Sequence, residues 1–481
     1  MNKKAIFGII GKLAMIEAAL LLLPMAVSAG YKEWTALKAF AVTAFGAFLL
    51  GLLLTVICRS KNRVIYAKEG FAIVAASWLF AALIGAFPFV ISKEIPNYIN
   101  AFFETVSGFT TTGASILENV EAMSHGMLFW RSFTHFIGGM GFLVFVMAII
   151  PNISDRSMHI MRAEVPGPVV GKLVPKIKDT AKILYIIYFC MTVVEIIMLI
   201  CGGMPAFDSV LLSFGSAGTG GFGIKSGSIA SYSPYCQWVI GVFMMLFGIN
   251  FNVYFLLLIK HFKSAAKTSE MWCYLGIIAV STAVIGIDIH SRFASAEETA
   301  RTSFFQVVSI ITTTGYSTDN FDAWPILSKS LILLLMFIGA CAGSTGGGLK
   351  VSRVMLLLKI IKREIRKMLH PHSVSRIKFD GKTVDDDTLS GVSSYFAVYI
   401  FCFVIGLLLI SFENFGIETN FSAMASCFNN IGPGLAKVGP DMNFNIYSGF
   451  SKIVFSLAML LGRLEIYPLL IFFSPSTWSK K

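Results

Sequence analysis

Charge is what this sequence has least of. Asp, Glu, Lys and Arg make up 14% of its 481 residues, where a soluble domain carries about a quarter. With 56% hydrophobic residues and a mean hydropathy of +0.74, the composition excludes a soluble domain and implies a membrane protein. Acidic residues are scarcer than basic ones, 27 against 39, which leaves a net charge of +12. In a soluble protein that excess would suggest nucleic acid. No RNA- or DNA-binding motif accompanies it here, so no nucleic-acid partner is expected and the excess is read as basic cytoplasmic loops. Cysteine occurs eight times, at Cys58, Cys190, Cys201, Cys236, Cys273, Cys341, Cys402 and Cys427, with no C-x-x-C pair. These positions speak against a zinc site or a disulfide framework; most lie in apolar runs as small hydrophobes. No catalytic triad, metal cluster or paired carboxylate stands out, so neither an enzyme nor an organic cofactor is expected. Two phosphate-loop look-alikes fail. Gly218–Gly223 fits G-x-G-x-x-G but lacks a preceding strand, and in Gly343–Lys350 the intervening Leu349 breaks the required Gly-Lys step.

What the chain does have is long apolar runs. Ala5–Ala29 is long enough for a hydrocarbon core that needs about 20 residues. Lys3, Lys4 and Val27–Ser28–Ala29 give it the look of a signal peptide, but a signal core spans about 7–15 residues, so an uncleaved helix is expected. Thr35–Cys58 is a second span. A pattern of span, short apolar segment, glycine loop and span then follows four times. The first unit is Phe71–Ser92, Ile95–Phe109 and Met127–Ile150. The second is Ile183–Cys201, Ala206–Ser216 and Trp238–Ile259. The third is Trp272–Ile287, Ala300–Ile311 and a span from Ile326. The fourth is Val392–Phe412, Phe421–Phe428 and Phe450–Phe473.

The loops within these units resemble one another. Thr110–Thr111–Thr112–Gly113 is matched by Thr312–Thr313–Thr314–Gly315, and more loosely by Ala217–Gly218–Thr219–Gly220 and Asn429–Asn430–Ile431–Gly432. Their glycines lie roughly 95 to 120 residues apart, the coarse period that marks a repeat architecture. The expected fold is an all-α polytopic membrane protein. Two leading transmembrane helices (1–69) precede four helix–half-helix–filter-loop–helix repeats (70–178, 179–268, 269–389, 390–481) around a pseudo-fourfold pore, with ten crossings.

Charge placement orients the chain. Lys and Arg cluster at 59–68, at Arg156, Arg162, Lys172, Lys176, Lys178 and Lys182, at Lys260, Lys263 and Lys267, and from Lys350 to Lys382. Such clusters mark the cytoplasmic side. Both termini, with Lys3, Lys4, Lys480 and Lys481, fall on it. The glycine loops fall on the other side, with Glu94, Glu118, Glu121, Asp288, Glu297, Glu298, Asp319, Asp322, Glu418 and Asp441. One span is expected to be irregular: Gly339–Lys350, rich in Gly, Ser and Ala, interrupts it at membrane depth. Unpaired backbone is tolerated there when buried in protein or lining water. A simple connector and a mobile intramembrane segment beneath the pore are both consistent with it, and the shortness of the flanking halves favours the second. On the cytoplasmic side, Ile377–Val384 reads as a hairpin around an Asp380-Gly381 turn.

A segment that enters halfway and leaves as an extended glycine loop is costly unless it lines an aqueous path. Four such loops on one axis offer a ring of backbone carbonyls able to replace the hydration shell of a cation. Glycine turns successive carbonyls inward at little cost, and threonine hydroxyls can add a ligand or brace the loop. The half-helices aim their carbonyl ends at the centre, which favours a cation.

These residues resemble the membrane subunit of the Trk/Ktr potassium uptake family, within the wider superfamily of K+ transporters. The resemblance rests on Ser107–Ala114, Phe129–Gly141, Gly220–Phe222, Ile311–Ser317, Gly343–Lys350, Asn430–Gly434 and Leu461–Pro468, and the two leading spans look like the TrkH type. It implies a selectivity filter at Thr110, Thr111, Thr112, Gly113, Ala217, Gly218, Thr219, Gly220, Thr312, Thr313, Thr314, Gly315, Asn429, Asn430, Ile431 and Gly432. The four filter glycines would be Gly113, Gly220, Gly315 and Gly432, the pattern associated with K+. The transported K+ would meet Thr111, Thr112, Thr219, Gly220, Thr313, Thr314, Asn430 and Ile431. Gating would fall to Gly343, Ser344, Thr345, Gly346, Gly347, Gly348, Lys350 and Arg463. The resemblance further implies a homodimer in the bacterial inner membrane, gated by cytoplasmic RCK-type (TrkA-like) nucleotide-binding subunits. Gly218 and Ile431 lack a hydroxyl, which makes the filter asymmetric and leaves a Na+-permeable relative, or a non-conducting sensor, as alternatives.

Arg463 is singled out because an ionisable residue at membrane depth usually serves function. Pairing with Glu465 is disfavoured because i,i+2 residues do not share a helix face. The resemblance sets it below the filter as a barrier to cations. Arg131 and His135 are expected to brace the first half-helix or pair with Glu104, and Asn250 and Asn252 to bridge helices.

Overall fold

The computed structural model describes residues 3–58, 67–139, 141, 177–372 and 376–478. The expected basic clusters at Arg59, Lys61 and Arg63 and at Arg156–Lys176, the end of span 127–150, and Lys480 and Lys481 lie outside the described residues. Among the described residues, six helices are long and apolar enough to cross a membrane: Lys3–Gly30, Trp34–Ile57, Lys68–Ile91, Lys182–Cys201, Ser269–Arg292 and Asp386–Ile410. The first two pack on each other through small residues. A Cβ on Gly11 would stand 2.7 Å from the Gly51 carbonyl oxygen, so glycine permits the close backbone approach that replaces a hydrophobic driving force in lipid.

All four half-helices form: Tyr98–Phe109, Ala206–Gly218, Ala296–Ile311 and Ile417–Asn429. Two of their starts are fixed by side-chain caps. Asn97 Oδ1 accepts from Ile99 N–H at 2.9 Å, and Ser295 Oγ accepts from Glu298 N–H at 3.1 Å; both are N-caps that satisfy otherwise orphaned donors. Their last turns are buried on all sides, although they carry Ser, Thr and Asn; neighbouring carbonyls and side chains take up the polar groups of Ser216, Ser309, Ser426 and Asn429.

The return helices differ from expectation. One irregular span was anticipated, and among the described residues three are broken. Pro234–Phe247 and Phe251–Leu258 meet at 89°. Ile326–Ile338 and Val351–Leu369 are separated by Gly339–Lys350. Gly449–Arg463 and Tyr467–Phe473 are separated by Glu465 and Ile466, both at positive φ (58° and 63°). In the first repeat the helix His125–Gly139 ends one residue before the described Gly141 begins, itself at φ 82°. The break at Gly339–Lys350 is the expected one; those at 248–250 and 464–466 escape the sequence because hydropathy runs straight through them. Asn250, expected to bridge helices, instead caps the second half of its bent pair by accepting from Asn252 N–H at 2.9 Å. The expected hairpin forms: Lys378–Phe379 pairs antiparallel with Lys382–Thr383, with Asp380 and Gly381 at φ 47° and 78°.

Candidate ion pore

The four loops share one backbone course. Each leaves its half-helix through a left-handed non-glycine residue: Thr111 (φ 54°), Thr219 (55°), Thr313 (60°) and Asn430 (57°). The next residue donates its N–H five residues back, from Thr112 to Ser107 O, Gly220 to Gly215 O, Thr314 to Ser309 O (2.8 Å each) and Ile431 to Ser426 O (2.9 Å). A positive-φ glycine follows: Gly113 (80°), Gly221 (68°), Gly315 (85°) and Gly432 (106°). The second loop is therefore one residue out of the expected register. Its positive-φ ring glycine is Gly221, and Gly220 matches Thr112, Thr314 and Ile431. Ala217 and Gly218 lie in the end of the half-helix. The sequence misled here because Gly220 and Gly221 are adjacent, and only backbone conformation distinguishes them.

These glycines close a ring. A Cβ on Gly113 would overlap the Gly220 carbonyl oxygen, one on Gly221 that of Thr314, and one on Gly315 that of Ile431; one on Gly432 would stand 2.8 Å from that of Thr112. The contacts run from loop one to two, three, four and back to one. Left-handed φ and this proximity together require glycine. All four glycines line one pocket, with Arg131, Glu118, Lys225 and Asp441 at its wall. Among the described residues, the carbonyls of Thr111, Thr112, Thr219, Gly220, Thr313, Thr314, Asn430 and Ile431 accept no backbone hydrogen bond.

Side chains behind the ring hold it. Thr110 Oγ1 pairs with Thr112 Oγ1, and Thr312 Oγ1 with Thr314 Oγ1, both at 2.8 Å, while Thr110 and Thr312 donate back to Val106 O and Val308 O. These hydroxyls brace the loops. The fourth loop lacks them and uses amides: Tyr399 Oη donates to Asn429 Oδ1 at 2.7 Å, and Asn430 Nδ2 donates to Thr112 Oγ1 at 3.0 Å and to Met459 O at 2.9 Å. Arg131 pairs with buried Glu104 at 2.8 Å, as expected. Glu104 also accepts from Ser115 Oγ and Ile116 N–H, and Arg131 stacks on Phe222 at 3.9 Å, so this pair ties loop one to loop two. His135 stacks on the same ring at 4.2 Å. Glu195, which the sequence reading passed over, takes a 2.5 Å hydrogen bond from Ser216 Oγ behind loop two.

On the half-helix side of the ring, glycines at the breaks press on the lowest carbonyls. Cβ atoms would meet Phe109 O at Gly138, Asn429 O at Gly347 and Phe428 O at Gly462; at Gly346 one would stand 2.9 Å from Thr312 O. The segment Gly343–Lys350 thus lies directly against loops three and four of the ring. Gly347 N–H donates to Thr313 Oγ1 at 2.6 Å, and Lys350 Nζ donates to Gly346 O. Arg463 is buried there. Its guanidinium donates to Thr345 O at 2.7 Å and to Gly138 O and Gly139 O at 2.6 Å, so it joins the segment to the C-terminal end of His125–Gly139, where a cation is favoured. Glu465 pairs with Arg353, whose guanidinium stacks on Tyr395 at 4.0 Å. Glu270, also missed, accepts backbone N–H groups beside the segment. A lone carboxylate in the first turn of a span was the available signal.

This architecture has close parallels. A family model described as TrkH, cation transport protein, matches residues 36–285 and 277–481. The "Trk system potassium uptake protein TrkH" of Salmonella typhimurium is 36% identical over 487 residues, 99% of this chain and all of the relative. TrkG of Escherichia coli is 32% identical over 480 residues, 97% of both chains. The crystal structure of the potassium transporter TrkH from Vibrio parahaemolyticus superposes with a TM-score of 0.89 at 31% identity, covering all of both chains. A membrane protein with this fold, matched along its whole length, belongs to the TrkH family of cation transport proteins.

Proposed function

We propose that this chain is the K+-translocating pore subunit of a Trk-type uptake system. The observation that carries the reading is the closed ring of four loops, each with a left-handed residue, a free carbonyl and a positive-φ glycine lodged against the next loop. Eight carbonyls without backbone donors, from Thr111, Thr112, Thr219, Gly220, Thr313, Thr314, Asn430 and Ile431, are suited to replace water around a cation. Glu118 and Asp441 at the mouth would raise the local cation concentration. The relatives' names, which specify potassium uptake, support the choice of ion. Loops two and four lack the paired hydroxyls of one and three, so the ring has twofold rather than fourfold character. That favours keeping a Na+-permeable pore as the second reading.

Gating is assigned to Gly343–Lys350 and Arg463. The segment fills the space under the ring, and the guanidinium adds a fixed positive charge there, so both oppose ion passage in this conformation. The chain works as a homodimer in the inner membrane with both termini cytoplasmic. Cytoplasmic RCK-type subunits act on the side that carries the basic helix Val351–Leu369 and the hairpin. The test is Rb+ and Na+ uptake into proteoliposomes. Arg463→Ala is expected to raise Rb+ uptake with Rb+ still preferred. Well-folded protein that passes neither ion, before or after this substitution, would overturn the reading, and equal passage of both would transfer it to the Na+-permeable alternative.

A further inference from the structure

Arg463 is not the only charged group that holds the intramembrane segment. Glu270 lies in the first turn of the helix Ser269–Ile289 and is buried. A single oxygen, Oε1, accepts from Ala342 N–H at 2.7 Å and from Ser352 N–H at 3.0 Å. Ala342 precedes the segment Gly343–Lys350, and Ser352 is the second residue of the helix that follows it. One carboxylate oxygen therefore draws the two feet of the segment together, and it does so at a helix N-terminus, where negative charge is favoured. Two cations also reach the segment's backbone, Arg463 at Thr345 O (2.7 Å) and Arg353 at Leu349 O (3.2 Å); its other backbone contacts are neutral hydrogen bonds: Cys341 N–H to Gly248 O at 3.1 Å, Phe251 N–H to Gly343 O at 3.1 Å, Val351 N–H to Ala340 O at 3.1 Å, which also joins the feet, and Gly347 N–H to Thr313 Oγ1 at 2.6 Å. Bonds to a charged group are about twice as strong. The turn that carries Glu270 is itself anchored, since Ser269 donates its N–H (2.8 Å) and its hydroxyl (2.5 Å) to Asp380 Oδ1 in the hairpin.

We propose that Glu270 is a positioning residue that latches the intramembrane segment beneath the filter by clasping both of its feet. Glu270 touches neither the ring nor the path through it. It acts through the segment, and the inference rests on the pore reading given above. Withdrawing the carboxylate frees two backbone donors and lets the feet separate, so the segment leaves the ring more often.

The experiment uses the full chain in proteoliposomes, without a partner, and compares Rb+ and Na+ uptake of the parent with Glu270→Ala, Glu270→Gln and Arg463→Ala. Loss of two charge-assisted bonds is expected to raise Rb+ uptake of Glu270→Ala about tenfold. Glu270→Gln keeps an amide oxygen able to accept both N–H groups and is expected to stay within about twofold of the parent. The Rb+ to Na+ ratio is expected to be unchanged, because the latch is remote from the ring. If Glu270→Ala does not fold, Glu270→Asp, which withdraws the oxygen by one methylene, must give the rise. Uptake at or below the parent's in a folded Ala or Asp variant, while Arg463→Ala raises it, would overturn the latch and leave the pore reading intact. An equal rise in the Gln and Ala variants, or an altered ion ratio, would indicate general loosening and overturn it as well. No uptake in any protein, Arg463→Ala included, would remove the pore reading and the latch with it.

Discussion

Gly220 and Gly221 differ in how they can be replaced, and that difference tests the register of the second loop. At Gly221 φ is +68°, a conformation that costs a side-chain-bearing residue about 1–2 kcal/mol. Its Cβ would also overlap the Thr314 carbonyl oxygen, one of the eight oxygens of the ring. Relief requires that carbonyl to turn. With each 1.4 kcal/mol worth about tenfold, Gly221→Ala is expected to lower the preference for Rb+ over Na+ about tenfold or more. At Gly220 the backbone is not left-handed, and the equivalent residues are Thr112, Thr314 and Ile431. The atoms nearest to a Cβ there belong to the flexible His135 imidazole and not to backbone. Overpacking of that kind costs about 1–3 kcal/mol, and removing the imidazole relieves it. Gly220→Ala is therefore expected to impair uptake, and Gly220→Ala combined with His135→Ala to recover it relative to His135→Ala alone. No second substitution at His135 will rescue Gly221→Ala. Ion uptake into proteoliposomes at matched protein content reads all five proteins. The register would be refuted by a Gly221→Ala protein with the parent's ion preference alongside a Gly220→Ala protein that loses it even without His135.

Other consequences are open to measurement. Arg463→Ala should raise Rb+ uptake and Glu270→Ala should do so with Glu270→Gln near the parent, as set out above. Arg131→Ala leaves the Glu104 carboxylate buried without its 2.8 Å partner, a loss of about 3–5 kcal/mol, and should sharply reduce the yield of folded protein on size-exclusion chromatography. Replacing both residues by apolar ones of similar volume should recover much of it. Glu33 caps the helix His125–Gly139 by accepting from His125 N–H at 2.8 Å and Gly126 N–H at 3.0 Å. Burial pushes its carboxyl up, but the hydrogen bonds from Gly126 and His125 outweigh this and hold it below its ordinary value of 4.5. An acid with a lowered folded-state value stabilises above its unfolded value and loses that contribution as pH falls through the folded one. Glu33→Ala should therefore cost about 1 kcal/mol at neutral pH. The gap to the parent in thermal unfolding should hold down to the ordinary carboxylate value and close only below it.

Much of the pore could be read from the chain directly. Thr110–Gly113 and Thr312–Gly315 are near-identical in sequence, and they adopt the same backbone and the same threonine bracing. The half-helices were legible because their apolar faces, and the caps of the first and third, are local. Asp380-Gly381 announced its turn for the same reason. The second loop was harder, since Gly218–Gly223 holds four glycines in six positions and any of several could have been the positive-φ one. Glu465 was weighed against Arg463, its near neighbour in sequence, and found its partner in Arg353, 112 residues away. The break at Glu465–Ile466 carried no glycine of its own, and a left-handed isoleucine has no compositional signature.

The sequence by itself determined that this is a polytopic helical membrane protein and that four loops of one kind punctuate it, because hydropathy, capping and turn chemistry act over a few residues. Only the tertiary structure decided which glycine of the second loop joins the ring, where the return helices of the second and fourth repeats break, and which carboxylates hold the segment beneath the ring. Each of those depends on backbone groups brought together from distant parts of the chain, such as Glu270 with Ala342 and Ser352, or Gly432 with Thr112, whose proximity no local pattern encodes.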